Sequence, residues 1–304
     1  MIDYFPTLES VTDLSFNHHQ VRITNTKIFS KLKNLTALDL SYNELVTDAH
    51  VKEISLIPSM RRLNIFCTDI GKQSIVYISE MKLLESLILG ELRLEAESVA
   101  YLKKLTNLKE LNCSPDSYGT SAHLSEMKSL NSLILNVKYN KEEDIENISK
   151  LTSLNHLKLW NSNINSKGAE FLSNISSFTS LNLSGNVIRD AGLVNIGKLA
   201  NLTFLNLSYN GLSDSGITNL GNLRKLTDLN LNGNNIEDQG AKIISKFSHL
   251  KYLQLRNNQI TKNGANYLSN LNSLYSLDLR ENKLDYKIEK IFPNVRRLFI
   301  EKDC

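Results

Sequence analysis

Laid against itself, the 304-residue chain repeats every 24 residues through its second half. The template is apolar-x-x-apolar-x-apolar-x-x-Asn-x-apolar, and its clean copies begin at Leu154, Phe178, Leu202, Leu226, Leu250 and Leu274. Less regular copies begin at Val11, Leu35, Met60, Leu84, Leu108 and Leu130, and a shortened one at Val295, so the chain holds about thirteen turns spaced roughly 21 to 25 residues apart. A period of this length belongs to a solenoid, in which no turn buries its apolar face alone and stacked neighbours build one continuous core. It also explains why about one residue in six is Leu and one in eight is Asn.

Each copy dictates local structure. The apolar fourth and sixth places, such as Leu205 and Leu207, alternate with polar ones, which is a short strand with one face in the core and the other in solvent. The ninth place is Asn at Asn43, Asn186, Asn210, Asn234, Asn258 and Asn282, where the chain leaves the strand and turns inward. An Asn amide both donates and accepts, so stacked copies are expected to satisfy buried backbone groups of adjacent turns; this ladder is structural. Beyond it, Asp190, Asp214 and Asp238 stand where an apolar helical spacing begins and read as helix N-caps. The expected architecture is α/β: a parallel sheet on the concave face and helices on the convex back. One domain is expected over 1–304, with a minimal N-terminal cap over 1–10, repeats over 11–284 and a C-terminal cap over 285–304.

The template resembles that of the leucine-rich repeat family over nearly the whole chain, and the resemblance implies a curved, horseshoe-shaped solenoid that binds a protein partner. A Gly or Gly-Ala near each helix start, at Gly168-Ala169, Gly192, Gly216, Gly240-Ala241 and Gly264-Ala265, is similar to the repeats of the GALA proteins and related effectors that bacterial pathogens inject into host cells. That similarity implies a host protein met in the host cytosol. GALA proteins carry an F-box ahead of their repeats, which the ten residues before Val11 are too short to hold. Substrate recognition for a ubiquitin ligase is therefore the second expectation.

Composition and motifs narrow the function. A formal charge of +3 with dispersed basic residues argues against nucleic acid. No run approaches the ~18 apolar residues of a membrane span. Cys67 and Cys113 fall two strands apart, roughly 10 Å and too far for a disulfide, which favours a reducing, cytoplasmic compartment. No HExxH, CxxC, P-loop or GxSxG motif occurs among the residues, so no enzyme, metal or cofactor is expected. The acidic run from Glu142 to Glu146 reads as a solvated helix. Arg296 and Arg297 charge the last strand, which favours a monomer.

The third, fifth, seventh and eighth places should project from the concave sheet, and most are Asn, Ser, Asp or Gly. Against that background two sets of large residues mark a partner surface. The first is Phe66, Ile88, Ile134, Val137, His156, Lys158 and Trp160; the second is Phe204, Tyr209, Tyr252, Arg256 and Arg280. Between Met60 and Asn163 the template is irregular, with Thr68, Leu92, Asp116, Lys138 and Ser162 in the Asn place, and Pro115 suggests a bend and a loop from Ser114 to Ser121.

Overall fold

The computed structural model describes residues 10–17, 26–115, 119–136, 141–284 and 288–300. They form two compact units, 1–137 and 138–304. In the first unit the strands are β1 (Asp13–Ser15), β2 (Ala37–Asp39), β3 (Arg62–Asn64), β4 (Ser86–Leu94), β5 (Glu110–Pro115) and β6 (Ser132–Leu135). Helices α1 (Asp48–Ile54), α2 (Lys72–Ile78), α3 (Ala96–Leu102) and α4 (Thr120–Leu124) alternate with them. The second unit contains β7 (His156–Lys158), β8 (Ser180–Asn182), β9 (Phe204–Asn206), β10 (Asp228–Asn230), β11 (Tyr252–Gln254), β12 (Ser276–Asp278) and β13 (Arg297–Phe299). Its helices are α5 (Glu142–Ile148), α6 (Ser166–Leu172), α7 (Arg189–Ile196), α8 (Asp214–Ile217), α9 (Asp238–Ile244) and α10 (Lys262–Leu268). Within each unit every strand pairs in parallel with its neighbours in chain order, and equivalent template places stand side by side: Phe204, Asp228, Tyr252, Ser276 and Arg297 form one row.

The core follows from the template. In the turn beginning at Phe178, Phe178, Leu181, Leu183, Ile188, Leu193, Ile196 and Leu199 are all 1% exposed or less. Each such side chain contributes about 1.5–3 kcal/mol on burial, which is how a three-residue strand persists. The template Asn closes each turn. The Asn186 side-chain amide donates to the Leu183 carbonyl of its own turn and to the Leu159 carbonyl of the preceding one, each at 2.8 Å. Its carbonyl accepts from the Ser162 and Ile164 backbone N–H groups at 3.0 and 2.9 Å. Asn210, Asn234, Asn258 and Asn282 repeat the donation to both turns or to the preceding one, and Asn43 reaches the Phe16 carbonyl.

The aspartates differ from the expectation. Ser213 and Glu237 hold the N-cap positions of α8 and α9, and Asp190 lies inside α7. Each carboxylate instead caps the helix of the following turn. Asp190 accepts from the Ser213 N–H at 2.8 Å and from the Ser213 and Ser215 hydroxyls at 2.5 Å. Asp238 accepts from the Thr261 and Gly264 N–H groups at 2.8 and 3.0 Å, and Asp214 from the Glu237 N–H at 2.8 Å. Asp48 does the same for Gly71 and Ser74 in the first unit. The recurring glycine is the counterpart of this reach, because a Cβ at Gly216, Gly240 or Gly264 would collide with the carboxylate of Asp190, Asp214 or Asp238.

Within the irregular section two strands lengthen, and residues 116–118 of the expected loop lie outside the described residues. β4 runs nine residues and its register against β5 shifts between Ile88 and Arg93, after which Pro115 pairs with Leu94 and is buried. Of the loop expected from Ser114 to Ser121, Ser114 belongs to β5 and Thr120 and Ser121 to α4. At Leu92 the long β4 replaces the tight Asn turn, whereas β3 and β7, with Thr68 and Ser162 in the Asn place, stay three residues long. The acidic run forms α5, whose Ile145 and Ile148 are buried beneath exposed Glu142, Glu143 and Glu146. Most of the expected N-terminal cap lies outside the described residues. No helix among them is long and apolar enough to cross a membrane.

Candidate interaction surface on the helix-free sheet face

The third, fifth and seventh template places point away from the helices, so each strand presents two or three side chains on the helix-free face of its sheet. The eighth place ends the strand in one particular way. Tyr42, Cys67, Asn161, Gly185, Tyr209, Gly233, Asn257 and Glu281 all have φ between 51° and 67°. This left-handed turn throws the eighth side chain outward, and it leaves Tyr42 44% and Tyr209 58% exposed.

In the first unit, Phe66, Ile88 and Ile134 are half-buried on this face. Ile88 and Ile134 stand in one row with Asn112 between them, so they form no continuous apolar patch. Phe66 is part of a real cluster: its ring lies 5.2 Å from that of Tyr42, tilted by 57°, and covers Gly90, where any Cβ would strike the ring. Sequence reasoning missed Tyr42, although it occupies the same template place as Tyr209. Next to this pair a groove of about 390 Å³ is lined by Asp13, Asp39, Arg62, Asn64, Ser86 and Ile88. Arg62 reaches across the small Ala37 to Asp13 at 2.7 Å. Val137 lies outside the described residues.

In the second unit, exposed His156 and Lys158 and half-buried Trp160 line up along β7 and its exit. Among the described residues no group of three or more His, Cys, Asp or Glu side chains is placed to hold a metal ion. The second predicted set divides in two, because β10 intervenes with Asp228, Asn230 and Asn232. On one side stand half-buried Phe204 and exposed Tyr209, whose ring rests on Gly233. On the other stand Tyr252, Arg256 and Arg280. The Arg256 guanidinium is paired with Glu281, and Arg280 binds Asp278 through two contacts at 3.0 and 2.6 Å. Both pairings raise the arginine pKa, chiefly by hydrogen bonding from the guanidinium to the carboxylate.

Tyr275, Arg296, Arg297 and Phe299 complete this end, and the sequence signal for Arg297 and Phe299 was their place in the shortened Val295 copy. The Tyr252 and Tyr275 ring centroids are 5.7 Å apart. The Arg296 and Arg297 guanidiniums lie over Tyr275 at 5.9 and 5.5 Å, and Arg280 lies over Phe299 at 5.3 Å.

Cys67 and Cys113 are both free. Burial pushes the Cys113 thiol up to about 12, and burial together with the nearby Glu91 charge raises that of Cys67.

A parallel sheet built in chain order from strand–helix turns, closed by an Asn ladder, defines the leucine-rich repeat solenoid. Family models for the leucine-rich repeat match residues 224–284, and also 31–55, 174–197 and 198–221. Among solved structures, an internalin (inlF) of Listeria monocytogenes superposes with a TM-score of 0.70 at 22% identity, over 98% of this chain and 88% of that one. A leucine-rich repeat protein of Leptospira interrogans gives 0.62 at 20% identity, over 97% and 84%. The receptor in a TLR13–ssRNA13 complex gives 0.61 at 24% identity, over 89% of this chain and 43% of its own. No curated protein sequence matches this one significantly. By fold the chain is a leucine-rich repeat protein, a class of scaffold that generally binds protein partners and is generally non-enzymatic.

Proposed function

We propose that the chain is a non-enzymatic recognition module that holds a protein partner against the helix-free face of its second unit. The observation that carries this reading is the presence of exposed Tyr209 and Tyr252 and half-buried Trp160 on one preformed sheet face, set among small polar residues such as Asn182, Ser184, Asn206 and Asn230. Aromatic anchors on a rigid surface gain contact area while ordering little on binding. The two free described thiols support action in a reducing compartment. With the Gly-Ala repeats, this favours a bacterial effector that meets its partner in a host cytosol.

The test is capture of protein from a eukaryotic cell lysate by immobilised wild type, by a Trp160→Ala/Tyr209→Ala/Tyr252→Ala variant and by a helix-side Glu143→Ala/Glu146→Ala control. The expected result is a partner held by wild type and control and released by the triple variant. Equal capture by the triple variant would overturn the assignment of this face.

A further inference from the structure

We infer that the strand-entry end of β11–β13 binds an acidic segment of the partner, one that places two or three carboxylates within a few residues. The inference rests on the reading of this face as a recognition surface and specifies the chemistry it takes. Tyr252, Ser276 and Arg297 stand in register across the three strands, and Lys251, Tyr275 and Arg296 each precede them by one residue. The cations on this face divide sharply. At the strand exits, Arg256 and Arg280 are neutralised by Glu281 and Asp278. At the strand entries, Lys251, Arg296 and Arg297 are exposed and meet no carboxylate among the described residues. The next acid along the row is Asp228, beside Tyr252, and it takes a 2.5 Å hydrogen bond from the Thr227 hydroxyl.

Two features make this end a receptor for carboxylates. A guanidinium lying over a ring spends its face on the π-system and keeps its in-plane N–H donors free, and that planar fork matches a carboxylate bidentately. Arg296 and Arg297 also share the single Tyr275 ring, so two like charges are held close with no counter-ion among the described residues; bridging carboxylates remove that repulsion. From β11 to β13 is two strand spacings, about 10 Å, the length of about three residues of extended peptide. Beyond the cations, the Asn230 and Gln254 side chains offer neutral hydrogen-bonding groups to a peptide backbone.

A single-stranded nucleic acid fits less well. Base stacking needs open ring faces, and here guanidiniums already cover Tyr275 and Phe299. A phosphate backbone also needs a track of cations, whereas the adjoining rows carry Asn182, Asn206 and Asn230.

Fluorescence anisotropy of fluorescein-labelled hexaglutamate with the full chain tests the inference, with hexaglutamine and a twelve-residue oligouridylate as comparisons. Expected are binding of hexaglutamate and not hexaglutamine, at least about a tenfold loss in Arg296→Ala/Arg297→Ala, and a loss of similar size in 0.5 M salt. Lys262→Ala, which removes an exposed cation from the helix side at the start of α10, should stay within about twofold. The charge-preserving Arg296→Lys/Arg297→Lys variant should bind more weakly than wild type, since Lys keeps the charge and loses the fork; thermal melting confirms that each variant is folded. Equal affinity for hexaglutamate and hexaglutamine, or for wild type and the double alanine variant, sinks the inference, as does tighter binding of the oligouridylate. A chain that ignores hexaglutamate yet captures a protein through Trp160, Tyr209 and Tyr252 refutes the acidic segment alone and leaves the recognition surface standing.

Discussion

At the residue scale, the eighth place of the template shows how backbone and surface are coupled. Among the described residues eight turns put that residue in the left-handed region, and two of these, at Gly185 and Gly233, use glycine for it. A side chain there costs roughly 1–2 kcal/mol. Tyr42, Tyr209 and Glu281 bear that strain, and in return they stand out from the sheet where a partner can reach them. Tyr209 is in turn supported by Gly233, whose missing Cβ lets the ring lie flat on the next turn. Gly233→Ala should therefore destabilise the second unit by about 2 kcal/mol, from left-handed strain and displacement of the Tyr209 ring together. Urea unfolding measures it, and an unchanged midpoint would show that the ring does not rest there. The ladder asparagines were legible in the sequence because their spacing is periodic and their chemistry suits only one task. The turn geometry was not, because tyrosine and glutamate seldom adopt it.

At the scale of elements, helices of four to eight residues are too short to be stable alone, and much of their anchorage comes from the preceding turn. Burial opposes the charge of Asp190, but hydrogen bonds from Ser213, Ser215 and Gly216 outweigh it and hold its carboxyl below the usual aspartate value. A lowered pKa in the folded state means that the stabilisation is complete above the unfolded value of about 3.9 and is lost as pH falls through the folded one. Asp190→Ala should cost about 1 kcal/mol between pH 5 and 7, and the difference from wild type should shrink below about pH 4. A gap that persists at pH 2 would assign the effect to something other than this carboxylate. Local rules give each aspartate to its own helix, as the sequence reading did, because the groups it caps lie 23 to 26 residues further on. The glycines at 216, 240 and 264 were visible signals of that contact, but their meaning required knowing what comes near them.

At the scale of the whole molecule, each turn buries the same few apolar places, so stability is distributed along the solenoid. Cys113 reports on the first unit. It is fully buried between β4 and β6, with a thiol raised to about 12, and should resist maleimide under native conditions until that unit opens. Cys67 is partly exposed and should label before Cys113. Peptide mapping after timed labelling checks this order, and equal rates would mean that the core around β5 is open.

The sequence by itself determined the strands, the Asn ladder and the core, because the alternation of apolar places and the inward turn are decided within 24 residues. Only the tertiary structure decided which side chains meet between turns. Asp190 caps the helix after its own, Tyr209 lies on Gly233, and two arginines share Tyr275. These pairs lie about a full repeat apart in sequence and become neighbours only when parallel strands about 4.8 Å apart bring equivalent places side by side. The proposed recognition surface draws on the last two of these lateral contacts.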